Sequence, residues 1–330
     1  MERTIHIFSS GVLRRHGDTI AFEGKDGTRY LPVEAVAEIM VHGEVDLNKR
    51  FLEFLSEKEI SLHYFNHFGN YMGTFYPHEH YNSGFMILKQ AEYYLDPEKR
   101  LQLARRFVSG ASRNLLRVLR YYRSRGKDLD ARIGSMEDLT AKLETCATIP
   151  ELMAIEGNLR EMYYNAFDTI LDHPAWTFDR RSRRPPENSL NSLISFGNSL
   201  LYATSLSEIY KTHLDPRIGY LHTTNWRRFS LNLDISEIFK PVLVDRLIFT
   251  MVGKGMIRPS DFHRESGGLF LTEAARRRFV EEYENRLRTV IRHRRNGRLV
   301  SYRRLIRLDL YRLEKHLIGE EPYDPFVAAW

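Results

Sequence analysis

Over the first eighty residues, apolar and polar positions alternate in short runs: "RTIHIF", "GVLRRHGDTIAFEG", "TRYLPV", "VAEIMVHG", "ISLHYFN" and "NYMGTFYP". Glycine-bearing breaks such as "GKDGT" and "FGN" separate them, so residues 1–80 are predicted to form a small antiparallel β domain. One helical stretch, "DLNKRFLEFLSEKE", interrupts the strands. From "HEHYNSGF" onward the period lengthens to that of amphipathic helices. Residues 81–87 read as a hinge and 88–330 as a larger all-α domain, an α+β fold class. Helices are predicted from about Phe85 to Tyr94, Pro97 to Arg125, Met136 to Cys146, Ile149 to Leu171, Ser189 to Thr212, Ile235 to Val252, Leu271 to Asn296 and Tyr302 to Ile318.

One helix breaks its own pattern. In "AIEGNLREMYYNAF" the residues Leu152, Ile155, Leu159, Tyr163, Ala166 and Ile170 share an arc, and Glu156 falls beside it, roughly 40° from Leu152 and roughly 20° from Tyr163 at about 100° per residue. An inward carboxylate needs a partner, because an unpaired charge out of water is costly or shifts its pKa and takes up a proton. A basic side chain, a hydrogen-bond network or a metal would each serve.

The 330 residues are 42% hydrophobic, enough for two domains and a large core. The amino terminus "MERTIHIFSSG" lacks a leader pattern, no apolar run reaches membrane-spanning length, and the single cysteine, Cys146, suits a reducing compartment. A cytoplasmic protein is expected.

The net charge of +6 is unevenly spread. Lys99 to Lys127 holds ten basic residues and no acid, and Arg276 to Arg312 holds thirteen arginines against four acids. Arg106, Arg113, Arg117 and Arg120 recur on one helical face. A solvated surface is the ordinary fate of such a run, but a ridge with no acid at i+4 repels itself and favours a polyanion, here nucleic acid. "VIRHRRNGR", with Arg292, Arg294 and Arg295, allows the same reading. On composition alone "FDRRSRRPPENS", with Arg183 and Arg184, is a solvated loop.

A second candidate region is "RIGYLHTTNWRRFSLNLDISEIFKPVLVDRL", with His222, Asp234 and Glu237. Taken alone, "DISE" reads as a capping box at a helix start and His222 as a hydrogen-bonded structural residue. Taken with Glu156 and the basic faces, the three make a divalent-metal site: carboxylates suit Mg²⁺ or Mn²⁺, and an imidazole tilts the choice toward Mn²⁺. His63, His67, His78 and His80 have no accompanying ligand pattern and read as hinge or surface residues. No phosphate-cradling glycine loop is present.

"RRSRRPPENSLNSLISFGNSLLY" followed by "GYLHTTNWRRFSLNLDISEIFKPVLVDR", with "IEGNLRE" upstream, resembles the CRISPR-associated integrase ("Cas one") family across essentially the whole chain, with the flavour of its type I-B branch. The resemblance implies one divalent ion held by Glu156, His222 and Glu237, with Asp234 as a supporting acid. It places Arg183 to Gly197 near the site, which makes Asn191 and Ser195 candidates for DNA contact or support. It further implies a homodimer formed through the β domain, a dimer of the small "Cas two" partner, and double-stranded or branched DNA as substrate. The implied reaction is insertion of a short DNA into a CRISPR array by 3′-hydroxyl transesterification. A metal-dependent nuclease that cuts without joining shares every one of these residues, and a non-catalytic scaffold shares the basic faces.

Overall fold

The computed structural model describes residues 3–78, 81, 83–183, 185–223, 229–292 and 297–329. The chain divides into two compact units, Met1–Asn82 and Ser83–Trp330.

The first unit contains β1 (Arg3–Ile7), β2 (Gly11–His16), β3 (Thr19–Gly24), β4 (Gly27–Pro32), β5 (Val36–Val41), β6 (Val45–Leu47), α1 (Lys49–Glu57), β7 (Ser61–Phe65) and β8 (Tyr71–Phe75). They form two four-stranded sheets, ordered β1-β5-β7-β8 and β4-β3-β2-β6. The sheets are mixed, which corrects the expected antiparallel domain: β1 with β5, β5 with β7, and β2 with β6 run parallel. The cause is the connections. The chain between β5 and β7 passes through α1, a crossover that returns the strand in the same direction. Local alternation reveals strands and tight turns but not these distant pairings. Leu13, Ile20, Ile39, Phe51, Phe54 and Leu62 fill the core, and Asn48 caps α1 by accepting from the Phe51 amide at 3.0 Å. His63 is fully buried, with Nδ1 2.7 Å from Thr74 Oγ1 and Nε2 3.7 Å from a Glu38 oxygen, a structural role. His67 and His78 are exposed, and His80 lies outside the described residues.

The second unit comprises α2 (Gly84–Leu95), α3 (Pro97–Arg123), α4 (Asp130–Ala141), α5 (Ile149–Tyr164), α6 (Phe167–Leu171), α7 (Ser189–Tyr210), α8 (Ser230–Lys240), α9 (Arg246–Gly253), β9 (Phe262–Glu265), β10 (Gly268–Leu271), α10 (Glu273–Arg288), β11 (Val290–Arg292), β12 (Leu299–Ser301) and α11 (Tyr302–Leu317). It is helical but not all-α, since β9–β10 and β11–β12 are two-stranded hairpins. The expected helix from Leu271 to Asn296 therefore ends at Arg288, where β-branched Thr289, Val290 and Ile291 turn the chain extended. The helix expected over Ile235–Val252 starts earlier, at Ser230, and is broken by a wide π-type turn over Pro241–Asp245 before α9. No helix among the described residues is long and apolar enough to cross a membrane.

At the centre of this unit α8 packs against both α3 and α7, with α5 against α3. Helix α7 is buried nearly all round, Asn191, Ser192, Thr204, Ser205, Ser207 and Glu208 included, as befits a helix enclosed by others. Its Gly197 is there for space: a Cβ would come within 2.5 Å of Val244 Cγ1.

The residues after α11 are stitched into this core. Tyr323 donates to Asp309 at 2.8 Å, and the Phe326 amide donates to the other Asp309 oxygen at 2.8 Å. Asn114 of α3 donates to the carbonyls of Phe326 and Ile238 and accepts from the Ala328 amide. The Phe326 ring stacks on Phe239 of α8, centroids 5.0 Å apart. Burial pushes the Asp309 carboxyl up to about 6. Tyr323→Phe removes one donor from this buried acid and should lower unfolding free energy by about 1–2 kcal/mol. Urea denaturation reads it; an unchanged midpoint would mean the hydroxyl contributes nothing.

Candidate metal and nucleic-acid site

Glu156 lies on α5 and is half-buried, as its angular position requires. Its partner is on the same helix one turn on: Arg160 Nε donates to a Glu156 oxygen at 2.9 Å. Arg160 is 7% exposed, and its Nη2 also donates to Glu237 of α8. One guanidinium thus ties together two carboxylates 81 positions apart in the chain. Lys240, one turn beyond Glu237 on α8, donates to the other Glu237 oxygen. Burial alone would raise the Glu237 carboxyl, but Arg160 and Lys240 outweigh it and hold it down at about 2. Burial would lower Arg160; Glu237 and Glu156 hold it well above its usual value instead. Lys240 is pulled below the usual lysine range by burial, only partly offset by Glu237.

His222 is brought to the same place by Asp234. Asp234 is fully buried and sits in the interior of α8, so the capping-box reading of "DISE" is corrected: the helix begins four residues before it. Its carboxylate reaches the preceding loop, accepting from the amides of Tyr220 (2.6 Å), Leu221 (3.2 Å) and His222 (3.0 Å) and contacting His222 Nδ1 at 2.8 Å. The loop can come this close because residue 219 is glycine; a Cβ there would lie 2.5 Å from the Ser230 carbonyl carbon. The Gly219 amide donates to Ser230 Oγ, which donates to the Arg217 carbonyl. With Nδ1 facing a carboxylate, Nε2 is the ring nitrogen left for a ligand, the usual arrangement behind a metal-binding histidine. Burial lowers the His222 pKa, but the Asp234 contact and the charges of Glu237 and Glu156 more than reverse this and raise it above its ordinary 6.5.

Glu156, Glu237 and His222 therefore share one electrostatic neighbourhood. Their ligand atoms are not all within 4.8 Å of one another, because Arg160 stands between the two acids. Two carboxylate donors and one imidazole are a donor set that suits Mn²⁺ or Mg²⁺, and an internal guanidinium and ammonium neutralise it here.

Sequence reasoning overlooked Arg160 and Lys240, although both were legible as acid–base pairs at i,i+4 and i,i+3. It also overlooked Asp245, at the end of the wide turn. Asp245 is fully buried, and burial pushes its carboxyl up to about 7 even though Arg160 and Lys240 pull it back.

The basic ridge on α3 is real but better neutralised than expected. Arg106 is exposed and donates to the Tyr323 carbonyl at 3.0 Å; Arg113 lies 3.8 Å from Asp324; Arg120 pairs with Glu137 of α4 at 2.5 Å. Arg117 is half-buried. The acids come from other elements, which i+4 spacing does not see, and such exposed pairs are weak enough to yield to phosphate. Arg183 and Arg292 are exposed, whereas Arg184, Arg294 and Arg295 lie outside the described residues.

Asn191 is corrected as a DNA-contact candidate. It is fully buried, donates to the Arg180 carbonyl at 2.7 Å, and accepts from Arg181 Nη1 and the Ser182 amide. Ser195 accepts from Arg181 Nη2 at 3.0 Å. Both fasten the Arg180–Ser182 segment to α7.

The family model described as "CRISPR associated protein Cas1" matches residues 5–285. A relative from Thermodesulfovibrio yellowstonii, "CRISPR-associated endonuclease Cas1 2", is 53% identical over 330 residues, 100% of both chains. The solved structure of a CAS1 protein from Thermotoga maritima matches with a TM-score of 0.89 at 49% identity, over 97% of this chain and 99% of that one. A casposase bound to integration product, 21% identical, has the same fold at a TM-score of 0.86 over 97% of this chain and 92% of that one. With a match from β1 into α10 and half its residues shared end to end with a named relative, the chain belongs to the CRISPR-associated Cas1 family.

Proposed function

We propose that this protein is a divalent-metal-dependent DNA endonuclease and integrase of CRISPR spacer acquisition, joining a DNA 3′-hydroxyl to a phosphodiester of the array. The observation that carries the reading is the meeting of Glu156 and Glu237 on a single guanidinium beside His222, whose Nδ1 is fixed by Asp234. The endonuclease name of a relative alike over its whole length supports it. Glu156, Glu237 and His222 would hold Mn²⁺ or Mg²⁺. When bound, the ion supplies Lewis-acid stabilisation of charge building on the scissile phosphate. Asp234 orients the imidazole and keeps its tautomer. Arg160 and Lys240 offset the charge of the two carboxylates, which would otherwise repel an approaching phosphate.

The ridge of Arg106, Arg113, Arg117 and Arg120, with Arg183, Arg184, Arg292, Arg294 and Arg295, would carry double-stranded or branched DNA. The first unit would serve a homodimer, residues 81–87 a hinge, and a Cas2 dimer would bridge two such pairs. Within the family, the chain would belong to the type I-B branch, which its motifs resemble.

The test is to incubate the protein and its Cas2 partner with a 3′-hydroxyl duplex, Mn²⁺ and a supercoiled plasmid bearing leader and repeat. Joined plasmid products are expected; cleavage without joining would instead favour a branched-DNA nuclease. Duplex affinity should fall steeply with salt, by about tenfold or more between 50 and 200 mM. A flat salt response in a binding titration would remove the ridge from the DNA path.

A further inference from the structure

Two buried groups behind the site have complementary unmade bonds. Arg160 spends Nε on Glu156 and Nη2 on Glu237, while its buried Nη1 has no hydrogen-bond partner among the described residues. Asp245 is fully buried, and neither of its oxygens has a hydrogen-bond partner among the described residues. The Tyr163 hydroxyl, on the same helix as Arg160, acts on Asp245 yet is itself without a hydrogen bond of ordinary geometry. The charges of Arg160 and Lys240 reach the Asp245 carboxyl. A buried donor and acceptor left unmade are costly, so each asks for an explanation.

A second arrangement of the same residues supplies one. A divalent cation on Glu156 and Glu237 would compete with the guanidinium for their oxygens, and the added charge would sit against Arg160 in a poorly screened interior. Arg160 then needs another anion. Asp245 belongs to the wide turn that continues α8 beyond Glu237 and Lys240, and such turns interrupt helices at functional positions.

Resting on the metal reading above, we infer that Asp245 is the alternate seat of Arg160: as a cation takes Glu156 and Glu237, the guanidinium moves from them to the Asp245 carboxylate. Asp245 is thus a positioning residue that acts through Arg160. Its charge is held in reserve for the loaded state.

The test measures Mn²⁺ binding by calorimetry and by electron paramagnetic resonance of free Mn²⁺, using full-length wild type, Asp245→Asn, Arg160→Gln and the double variant. Asp245→Asn should weaken Mn²⁺ binding about tenfold, since the guanidinium then has no anion to move to. Arg160→Gln should abolish that sensitivity, so the double variant binds as Arg160→Gln alone does. Equal affinity in wild type and Asp245→Asn, or the same loss in both backgrounds, overturns the exchange while leaving the metal site standing. A wild type that takes up no Mn²⁺ overturns the metal reading itself. Should Arg160→Gln fail to fold, a Mn²⁺-soaked wild-type crystal decides: an Arg160 nitrogen within hydrogen-bond distance of Asp245 supports the exchange, and Arg160 still on Glu237 refutes it.

Discussion

His222→Ala should lower strand joining and cleavage by about a hundredfold or more while leaving duplex affinity within about twofold, because it removes the one nitrogen donor of the site and touches none of the exposed arginines. The two readouts separate a catalytic loss from a binding loss. The raised pKa of His222 adds a signature. The imidazole stays protonated to a higher pH than an ordinary histidine, and a ligand nitrogen must first shed that proton. Mn²⁺ affinity of the wild type should therefore climb as pH passes through a value above 6.5 and then level off; in His222→Ala this step disappears. Full joining activity in the variant would show that the imidazole takes no part, leaving a scaffold with some other reactive centre.

Asp234→Ala carries the largest expected loss of stability. One buried carboxylate holds three loop amides and an imidazole at once. Its removal strands those donors in a region sealed by Gly219 against Ser230. A loss of about 3–5 kcal/mol is expected, the range for breaking a buried charged network. Asp234→Asn, keeping acceptor capacity on one side, should lose less. Denaturant unfolding measures both, and a midpoint within error of wild type would mean that the loop is held by other contacts. The His222–Asp234 contact also gives a pH dependence with a definite sign. Because the folded pKa of His222 is raised, its stabilising contribution is complete below about 6.5 and disappears as pH rises through the folded value. In Asp234→Ala that part of the pH profile flattens.

Much of the site was visible in the sequence because it rests on helical period. The angular position of Glu156 placed it inward before any contact was known, and the three motifs placed His222, Asp234 and Glu237 in one region. What stayed hidden was pairing between distant segments. Glu137 and Asp324 neutralise the α3 ridge from other elements, and the parallel strands of the first unit follow from connections rather than from alternation. Asp234 misled for a physical reason: an acid three residues before another looks like a cap, and only the start of α8 at Ser230 shows that it sits inside the helix and reaches backward. The β11–β12 hairpin carried an Asn-Gly turn signal between β-branched residues, overridden by the helical period that precedes it.

The buried strap from Tyr323 to Ala328 has a consequence for biosynthesis. It adds hydrogen bonds and a stacked ring between α3 and the helix that bears Glu237, so the packing of that helix is complete only once these residues have left the ribosome. The proposed site is consequently among the last parts of the molecule to be fully buttressed, and a nascent chain stalled before Tyr323 holds Glu156 and Glu237 without part of their frame.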